Sequence, residues 1–165
     1  MKKFYVLLIL ISFSCNHGKK YDNKKGYFEI KRDNGIPHYI KFYDNNKKLE
    51  GQSISFNSSG KIHSYTYMLK DQQVGSSMIY YENGTLNVLD TYLNGKKEGV
   101  SVHYNPEGIL TRKTYYRNDL LDGEQYYFDY ESGDTLRIEY YKKGQLIQID
   151  SIPPARPSMS RHRSS

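Results

Sequence analysis

Apolar and polar residues alternate along most of the chain beyond residue 25. In the stretch 100–104, Val-Ser-Val-His-Tyr, an apolar side chain occupies every second position. This is the pattern of a β-strand with one buried face. No window of this region shows a sustained apolar period of 3.6 residues, so helices are not expected. The pattern predicts an all-β protein.

The strands belong to internal repeats marked by glycine. Gly51, Gly75, Gly99 and Gly123 are spaced by 24 residues, and Gly26 precedes the first of them by 25. A period in this range is typical of repeat architectures. About five similar units are therefore predicted within a repeat domain spanning residues 26–150.

Each unit has the signals of a β-hairpin. An aromatic residue follows the repeat glycine by five positions, a turn such as Glu82-Asn83-Gly84 comes next, and an aliphatic residue then opens a second strand that ends on tyrosines. Asn-Gly is a strong hairpin-turn signal because glycine adopts positive φ without strain. We therefore expect an elongated single-layer antiparallel meander of about five hairpins.

Alternation places one set of apolar and aromatic side chains on the same face of these strands. The sequence has 18 Tyr and 6 Phe, and cross-strand aromatic contacts that hold the register of the sheet explain most of them. If the sheet closes on this stripe, it is a core, which we expect for the inner units 75–128. If it stays open, it is an interaction surface, which we expect at the terminal units. The candidate residues are Met78, Tyr80, Val102, Tyr104, Tyr126 and Phe128.

The N-terminus resembles an export signal. Lys2 and Lys3 precede an apolar run from Phe4 to Phe13, which is shorter than the roughly 20 residues of a membrane-spanning helix. Residues 1–14 are therefore predicted to be a signal peptide. The segment 11–15 resembles a bacterial lipobox ending at Cys15, the only cysteine. Cys15 is predicted to carry a lipid, although a cleaved signal with an incidental cysteine is the alternative.

The segments that flank the repeats are polar. Residues 15–25 are expected to be a flexible tether and residues 151–165, with three prolines, a disordered tail. The formal net charge is +6, but the positive charge is concentrated in these two segments and the body at 26–150 is slightly acidic. Nucleic-acid binding is therefore not expected. The predicted location is the cell membrane or outer membrane, reached by export.

The sequence contains no recognisable catalytic motif. It has neither Gly-x-Ser-x-Gly nor His-Glu-x-x-His. Acidic residues recur before the repeat glycines, which is typical of turn chemistry. No catalytic residue, metal site, cofactor or small-molecule substrate is therefore expected. The histidines are scattered, at His17, His38, His63, His103 and His162.

The segment 92–110, with its Tyr-x-Asn-Gly-Lys start and later Gly-x-Leu, resembles the MORN-repeat variant. The array 26–147 resembles the YwqK family of antitoxins, many of them lipoproteins of Bacteroidota-type bacteria. The resemblance implies a twisted single-layer meander of hairpins, and MORN arrays are associated with dimerisation, scaffolding and lipid contact. Val74 and Asp119 depart from the repeat pattern, so their turns are expected to be less regular.

The sequence thus predicts a non-enzymatic lipoprotein of the cell envelope. Its sheet is expected to be a protein-interaction or scaffolding surface, bound by a protein partner or by a second copy of the chain. The alternative is an antitoxin or immunity-type protein that neutralises a specific toxin.

Overall fold

Every regular element in the described part of the chain is a β-strand. The computed structural model describes residues 19–22, 26–33 and 35–152. The first seven strands are β1 (Lys19–Asp22), β2 (Gly26–Asp33), β3 (Ile36–Tyr43), β4 (Leu49–Phe56), β5 (Ile62–Leu69), β6 (Gln72–Gln73) and β7 (Gly75–Tyr80). The remaining strands are β8 (Leu86–Leu93), β9 (Lys96–Lys97), β10 (Gly99–Tyr104), β11 (Leu110–Arg117), β12 (Leu120–Phe128), β13 (Thr135–Lys142) and β14 (Gln145–Ser151).

The strands form one antiparallel sheet whose order follows the chain. Only the short strands β6 and β9 lie off this path, paired with β5 and β8. Five hairpins, β2–β3, β4–β5, β7–β8, β10–β11 and β12–β13, repeat along the sheet. Within the described ranges no second layer packs on it. The predicted single-layer meander of five hairpin repeats is confirmed.

Side-chain-capped turns connect the two strands within several hairpins. The Oδ1 atom of Asn105 accepts hydrogen bonds from the backbone N–H groups of Glu107 and Ile109, at 3.1 and 2.8 Å. Gly108 completes the turn with a φ of 85°. Asn57 caps the turn of an earlier hairpin in the same way. The polar residues of these turns therefore have a local structural role.

Two-residue turns connect successive units. They lie at the ends of the strands opposite to the hairpin turns just described. Asn94 and Gly95 both have left-handed φ values, 51° and 79°, as a type I′ turn requires. The N–H of Gly95 donates to the carbonyl oxygen of Gln73 in the preceding unit, at 2.8 Å. These turns therefore bond one repeat to the next.

The expectation of irregular turns at Val74 and Asp119 is wrong. Asp119 adopts a φ of 67° and its N–H donates to the carbonyl oxygen of Lys97 at 3.0 Å, matching the bond made by Gly95. The N–H of Val74 donates to Tyr67 O at 3.0 Å, as the N–H of Glu98 does to Thr91 O at 2.9 Å. The bonds are made by backbone atoms, and Asp119 adopts the left-handed conformation that the turn requires.

The sheet extends beyond the predicted repeat domain at its N-terminal end. Residues 19–22, expected to be part of a flexible tether, form β1 and pair with β2. A strand can add to a sheet edge through backbone hydrogen bonds whatever the polarity of its side chains. The signal segment 1–14 and Cys15 lie outside the described residues.

At the C-terminal end, the sheet reaches Ser151. The N–H of Ile152 donates to the carbonyl oxygen of Leu136 at 2.8 Å. The first two residues of the predicted tail are thus in or against the sheet, and residues 153–165 lie outside the described residues.

The side chains that the sheet buries are polar. Among the described residues no hydrophobic side chain is buried, whereas Ser101 and Thr114 are 1% and 2% exposed. The other buried residues are Asp90, Gln125 and Glu139. This corrects the expectation that the aromatic stripe forms a core in units 75–128. A single layer leaves the large apolar side chains partly exposed, whereas these five polar side chains are covered by their neighbours.

Candidate functional site

The five buried polar residues and the half-buried Ser77 form one row across the sheet, here called the polar row. Antiparallel pairing joins Ser77 to Asp90, Ser101 to Thr114, Thr114 to Gln125 and Gln125 to Glu139. The pairing of Leu89 with Val102 places Asp90 beside Ser101. Paired residues share a face of the sheet. The row members are Ser77, Asp90, Ser101, Thr114, Gln125 and Glu139.

Glu139 closes a hydrogen-bond network at one end of the polar row. Thr114 Oγ1 donates to Gln125 Oε1, and Gln125 Nε2 donates to Glu139 Oε2, both at 3.1 Å. The hydroxyls of Tyr127 and Tyr141 also donate to Glu139 Oε2, at 3.1 and 2.9 Å. Burial, followed by the bond to Glu139, raises the pKa of Tyr141. The buried carboxylate is thus well satisfied.

Asp90 forms an ion pair with Lys97 on the same face. Lys97 Nζ lies 2.8 Å from Asp90 Oδ2, and the side chains are 30% and 8% exposed. Burial acts to lower the pKa of Lys97, but the hydrogen bond and charge of Asp90 outweigh it and the pKa is raised. The other oxygen, Asp90 Oδ1, is buried without a hydrogen-bond partner.

His103 and Arg112 form a cross-strand pair beside the polar row. Arg112 Nη2 lies 3.0 Å from His103 Nε2 and 3.3 Å from Nδ1. A neutral imidazole has one acceptor nitrogen, so only one of these contacts is a hydrogen bond. Burial lowers the pKa of His103, and the charge of Arg112 acts in the same direction. Ser101 Oγ lies 3.4 Å from Nε2 of the same ring.

The residue pair at the position of His103 and Arg112 differs from one repeat to the next, and the pattern of a single unit did not reveal this difference. The His103–Arg112 position is occupied by Ser55–Ser64, Ile79–Val88 and Tyr127–Arg137 in other units. Aligning the units on their glycines shows this variation, but alternation alone marks all these positions as a polar face.

The six predicted stripe residues lie together on the opposite face, here called the aromatic face. Pairing runs from Met78 through Leu89, Val102 and Lys113 to Tyr126. Every stripe residue is half-buried. The structure therefore brings the predicted set together, and adds Lys113, which sequence reasoning missed, between Val102 and Tyr126.

The other three stripe residues lie just beyond a recurring β-bulge. The register shifts before Tyr80, Tyr104 and Phe128. The Tyr80 hydroxyl donates to Met78 Sδ at 3.3 Å, and the rings of Tyr126 and Phe128 stack with centroids 6.2 Å apart. Strand alternation places each ring on the same face as the residue two positions before it, and in two of the three pairs the side chains are also in contact.

Tyr126 is bonded to an acidic neighbour on the aromatic face. Its hydroxyl donates to Glu124 Oε2. This bond, with smaller effects of burial and charge, raises the pKa of Tyr126 to about 12. The tyrosine therefore stays protonated, and the face carries both signs of charge through Glu124 and Lys113.

The other candidate groups do not converge. His38 and His63 are exposed, and His17 and His162 lie outside the described residues. In residues 19–22, 26–33 and 35–152 no three acidic, histidine or cysteine side chains come together as a metal site would require. No helix in the same ranges has the length and apolar character needed to cross a membrane.

Comparison with known proteins adds no family assignment. No protein-family model matches the chain, and no curated protein matches it significantly. The resemblance to the MORN-repeat variant and to the YwqK family therefore stays a prediction from the sequence.

Proposed function

We propose that this protein is a non-enzymatic lipoprotein of the cell envelope whose aromatic face binds another protein. The observation that carries the proposal is the half-buried aromatic stripe on a sheet with no second layer in its described part. Contiguous apolar surface of this kind is uncommon on a protein that acts alone and is typical of interaction sites.

The dimensions of the face suit a protein partner. Its central row runs through Ile40, Ile54, Tyr65 and Met78 and on to Ile138. The row crosses from one strand to the next eight times, so it is roughly 40 Å long. Along the strands the face is three side chains across, which makes it about 15–20 Å wide. This area approaches the ~800 Å² that each partner contributes to a stable protein interface.

The residue types also favour a protein partner. Tyr, Phe and Met are enriched in the centres of protein interfaces, while Lys113 and Glu124 supply charges of both signs. A nucleic acid would require a concentration of cations on one folded face. The partner is therefore expected to offer apolar surface with a few polar groups.

The envelope location rests on the N-terminal sequence. The signal-like residues 1–14 and the lipobox-like segment ending at Cys15 support export and lipid attachment. Bacterial lipidation of Cys15 would anchor the sheet at a membrane surface, where a partner could be held nearby.

The anchor is tested with Cys15→Ala. Loss of the only thiol should abolish incorporation of radioactive fatty acid and move the protein from the membrane fraction to the soluble fraction. Ser14→Ala is the control and should remain membrane-bound. A Cys15→Ala protein that still fractionates entirely with membranes would refute the lipid anchor.

The binding face is tested by site-specific photocrosslinking in cells. A photoreactive phenylalanine analogue at Tyr104 should give a protein adduct, and Val102→Ser in the same chain should reduce its yield. The matched control carries the analogue at Tyr130, an exposed loop tyrosine. Equal adduct yields from Tyr104 and Tyr130, or no adduct from Tyr104, would overturn the proposal.

A further inference from the structure

In the stretch of the polar face that holds Lys97, Arg112 and Arg137, Arg112 is the cation without a carboxylate partner among the described residues. Lys97 is paired with Asp90 at 2.8 Å, and Arg137 Nε lies 3.1 Å from Glu139 Oε1. Arg112 is in the same stretch of sheet, between these two pairs. No carboxylate oxygen of the described residues lies within 4 Å of its guanidinium nitrogens.

The surroundings of Arg112 increase the cost of this unmatched charge. The side chain is half-buried, and its Nε atom is buried without a hydrogen-bond partner. Its cross-strand neighbours are His103 and Tyr127, neither of which is a carboxylate. A guanidinium that is partly removed from water is normally compensated by an anion.

We infer that Arg112, with His103 and Ser101 beside it, is a binding site for one oxyanion, a carboxylate or phosphate group. The guanidinium supplies the charge, and its remaining N–H donors suit the geometry of both oxyanions. The site lies on the face opposite the aromatic stripe and does not depend on that stripe binding a protein.

The role of His103 follows from the charges that face it. Arg112 from β11 and Lys97 from β9 disfavour a positive imidazole, while Asp90 from β8 favours one; Ser101, on its own strand β10, is neutral. Burial and Arg112 together lower the pKa of His103, so the ring is neutral near pH 7. A neutral ring accepts from Arg112 through one nitrogen and offers the N–H of the other.

A bound oxyanion changes this balance in a measurable direction. Its negative charge would stabilise the imidazolium form and raise the pKa of His103. If Arg112 serves only to pack against the ring, added oxyanions would leave that pKa unchanged. His103 is therefore a reporter for the site.

The experiment follows the His103 imidazole signals by NMR during pH titrations of the full chain in an uncharged detergent. Sodium chloride, sodium acetate and sodium phosphate are compared at equal ionic strength. Acetate or phosphate should raise the pKa of His103 by roughly 0.5–1 unit relative to chloride. A response to acetate indicates a carboxylate ligand, and a response to phosphate alone indicates a phosphate ligand.

Arg112→Gln provides the decisive comparison. In chloride this variant should show a higher His103 pKa than the wild type because the neighbouring cation is gone, and acetate and phosphate should no longer change it. Lys113→Gln, which removes an adjacent charge on the opposite face, should keep the full response. If Arg112→Gln does not fold, Arg112→Lys should retain the charge but weaken the response.

Three results would overturn the inference. The His103 pKa of the wild type could be the same in all three salts, which would leave Arg112 a packing role only. The anion response could persist undiminished in Arg112→Gln, or be lost equally in Lys113→Gln. Either of the last two would show general screening by the salt.

Discussion

The ion pair of Asp90 and Lys97 illustrates how this sheet is stabilised at the scale of single residues. Asp90 is almost fully buried, and one of its oxygens has no hydrogen-bond partner. A buried carboxylate is costly unless a cation compensates it, and Lys97 is the cation in contact with it. Removing the lysine would leave an uncompensated charge inside the polar row.

We therefore expect Lys97→Met to lower the free energy of unfolding by roughly 1–3 kcal/mol. Fully buried pairs lose about 3–5 kcal/mol on removal of one partner, and the 30% exposure of Lys97 reduces the effect. Urea denaturation at pH 7 measures the change. Lys96→Met, at the exposed neighbouring position, should have little effect; equal losses in the two variants would show that the pair is not the cause.

At the scale of elements, the two-residue turns between units decide how closely the repeats are joined. Asp119 stands where other turns have glycine, yet it adopts the same left-handed conformation. Its Oδ1 accepts a hydrogen bond from the N–H of Lys97 at 2.7 Å, which glycine could not do. Asp71 makes the equivalent bond to Leu49 at 2.7 Å, so aspartate is an alternative solution for this turn.

Substitutions at Asp119 should separate the contribution of its side-chain hydrogen bond from that of its left-handed backbone conformation. Asp119→Ala should cost about 1–2 kcal/mol of unfolding free energy, because it loses the hydrogen bond and places a Cβ at positive φ without local compensation. Asp119→Asn should cost less than about 0.5 kcal/mol, since asparagine keeps an acceptor and tolerates this conformation. The loss of unfolding free energy in Asp119→Gly should lie between the losses in Asp119→Asn and Asp119→Ala.

Thermal or urea unfolding gives this order directly. Glu107→Ala, in an exposed turn at the opposite edge, is the control. If Asp119→Gly is more stable than the wild type, the side-chain hydrogen bond contributes less than the left-handed conformation of aspartate costs.

At the scale of the whole molecule, the sheet is held by polar and aromatic contacts along its length, since no hydrophobic side chain of the described residues is buried. Several of these contacts involve tyrosine hydroxyls bonded to acidic groups, which raise the pKa of Tyr126 to about 12 and that of Tyr140 above its usual range. The pKa of Lys97 is also raised. The folded chain therefore holds these protons more tightly than the unfolded chain.

These raised pKa values predict that the fold loses stability at alkaline pH. A group whose pKa is higher in the folded state stabilises the fold below its unfolded pKa, and the contribution is lost as pH rises through the folded value. The free energy of unfolding should thus be nearly constant up to about pH 10 and fall between about pH 10 and 12. Urea denaturation across this range measures the decline.

Tyr126→Phe should make the alkaline decline shallower, because it removes one of these protons and its bond to Glu124. Tyr130→Phe, at a tyrosine that is 60% exposed, is the control and should leave the profile as in the wild type. An unfolding free energy that rises above pH 10 would contradict the assignment of these hydroxyls as donors.

The sequence by itself determined the hairpin array, because its signals are local. Alternation at 100–104 and the 24-residue glycine spacing require only neighbouring residues to specify strands and turns. The same alternation also placed Met78, Val102 and Tyr126 on one face, which the strand pairing confirms.

Only the tertiary structure decided which polar side chains meet and which face is buried. His103 and Arg112 are nine residues apart in sequence but directly paired, and this depends on a register that includes a bulge before Tyr104. Alternation marks Ser101 and Thr114 as solvent-facing, yet they are the most buried side chains described. Burial in a single layer is set by the neighbours across the strands, and no local pattern of hydrophobicity records them.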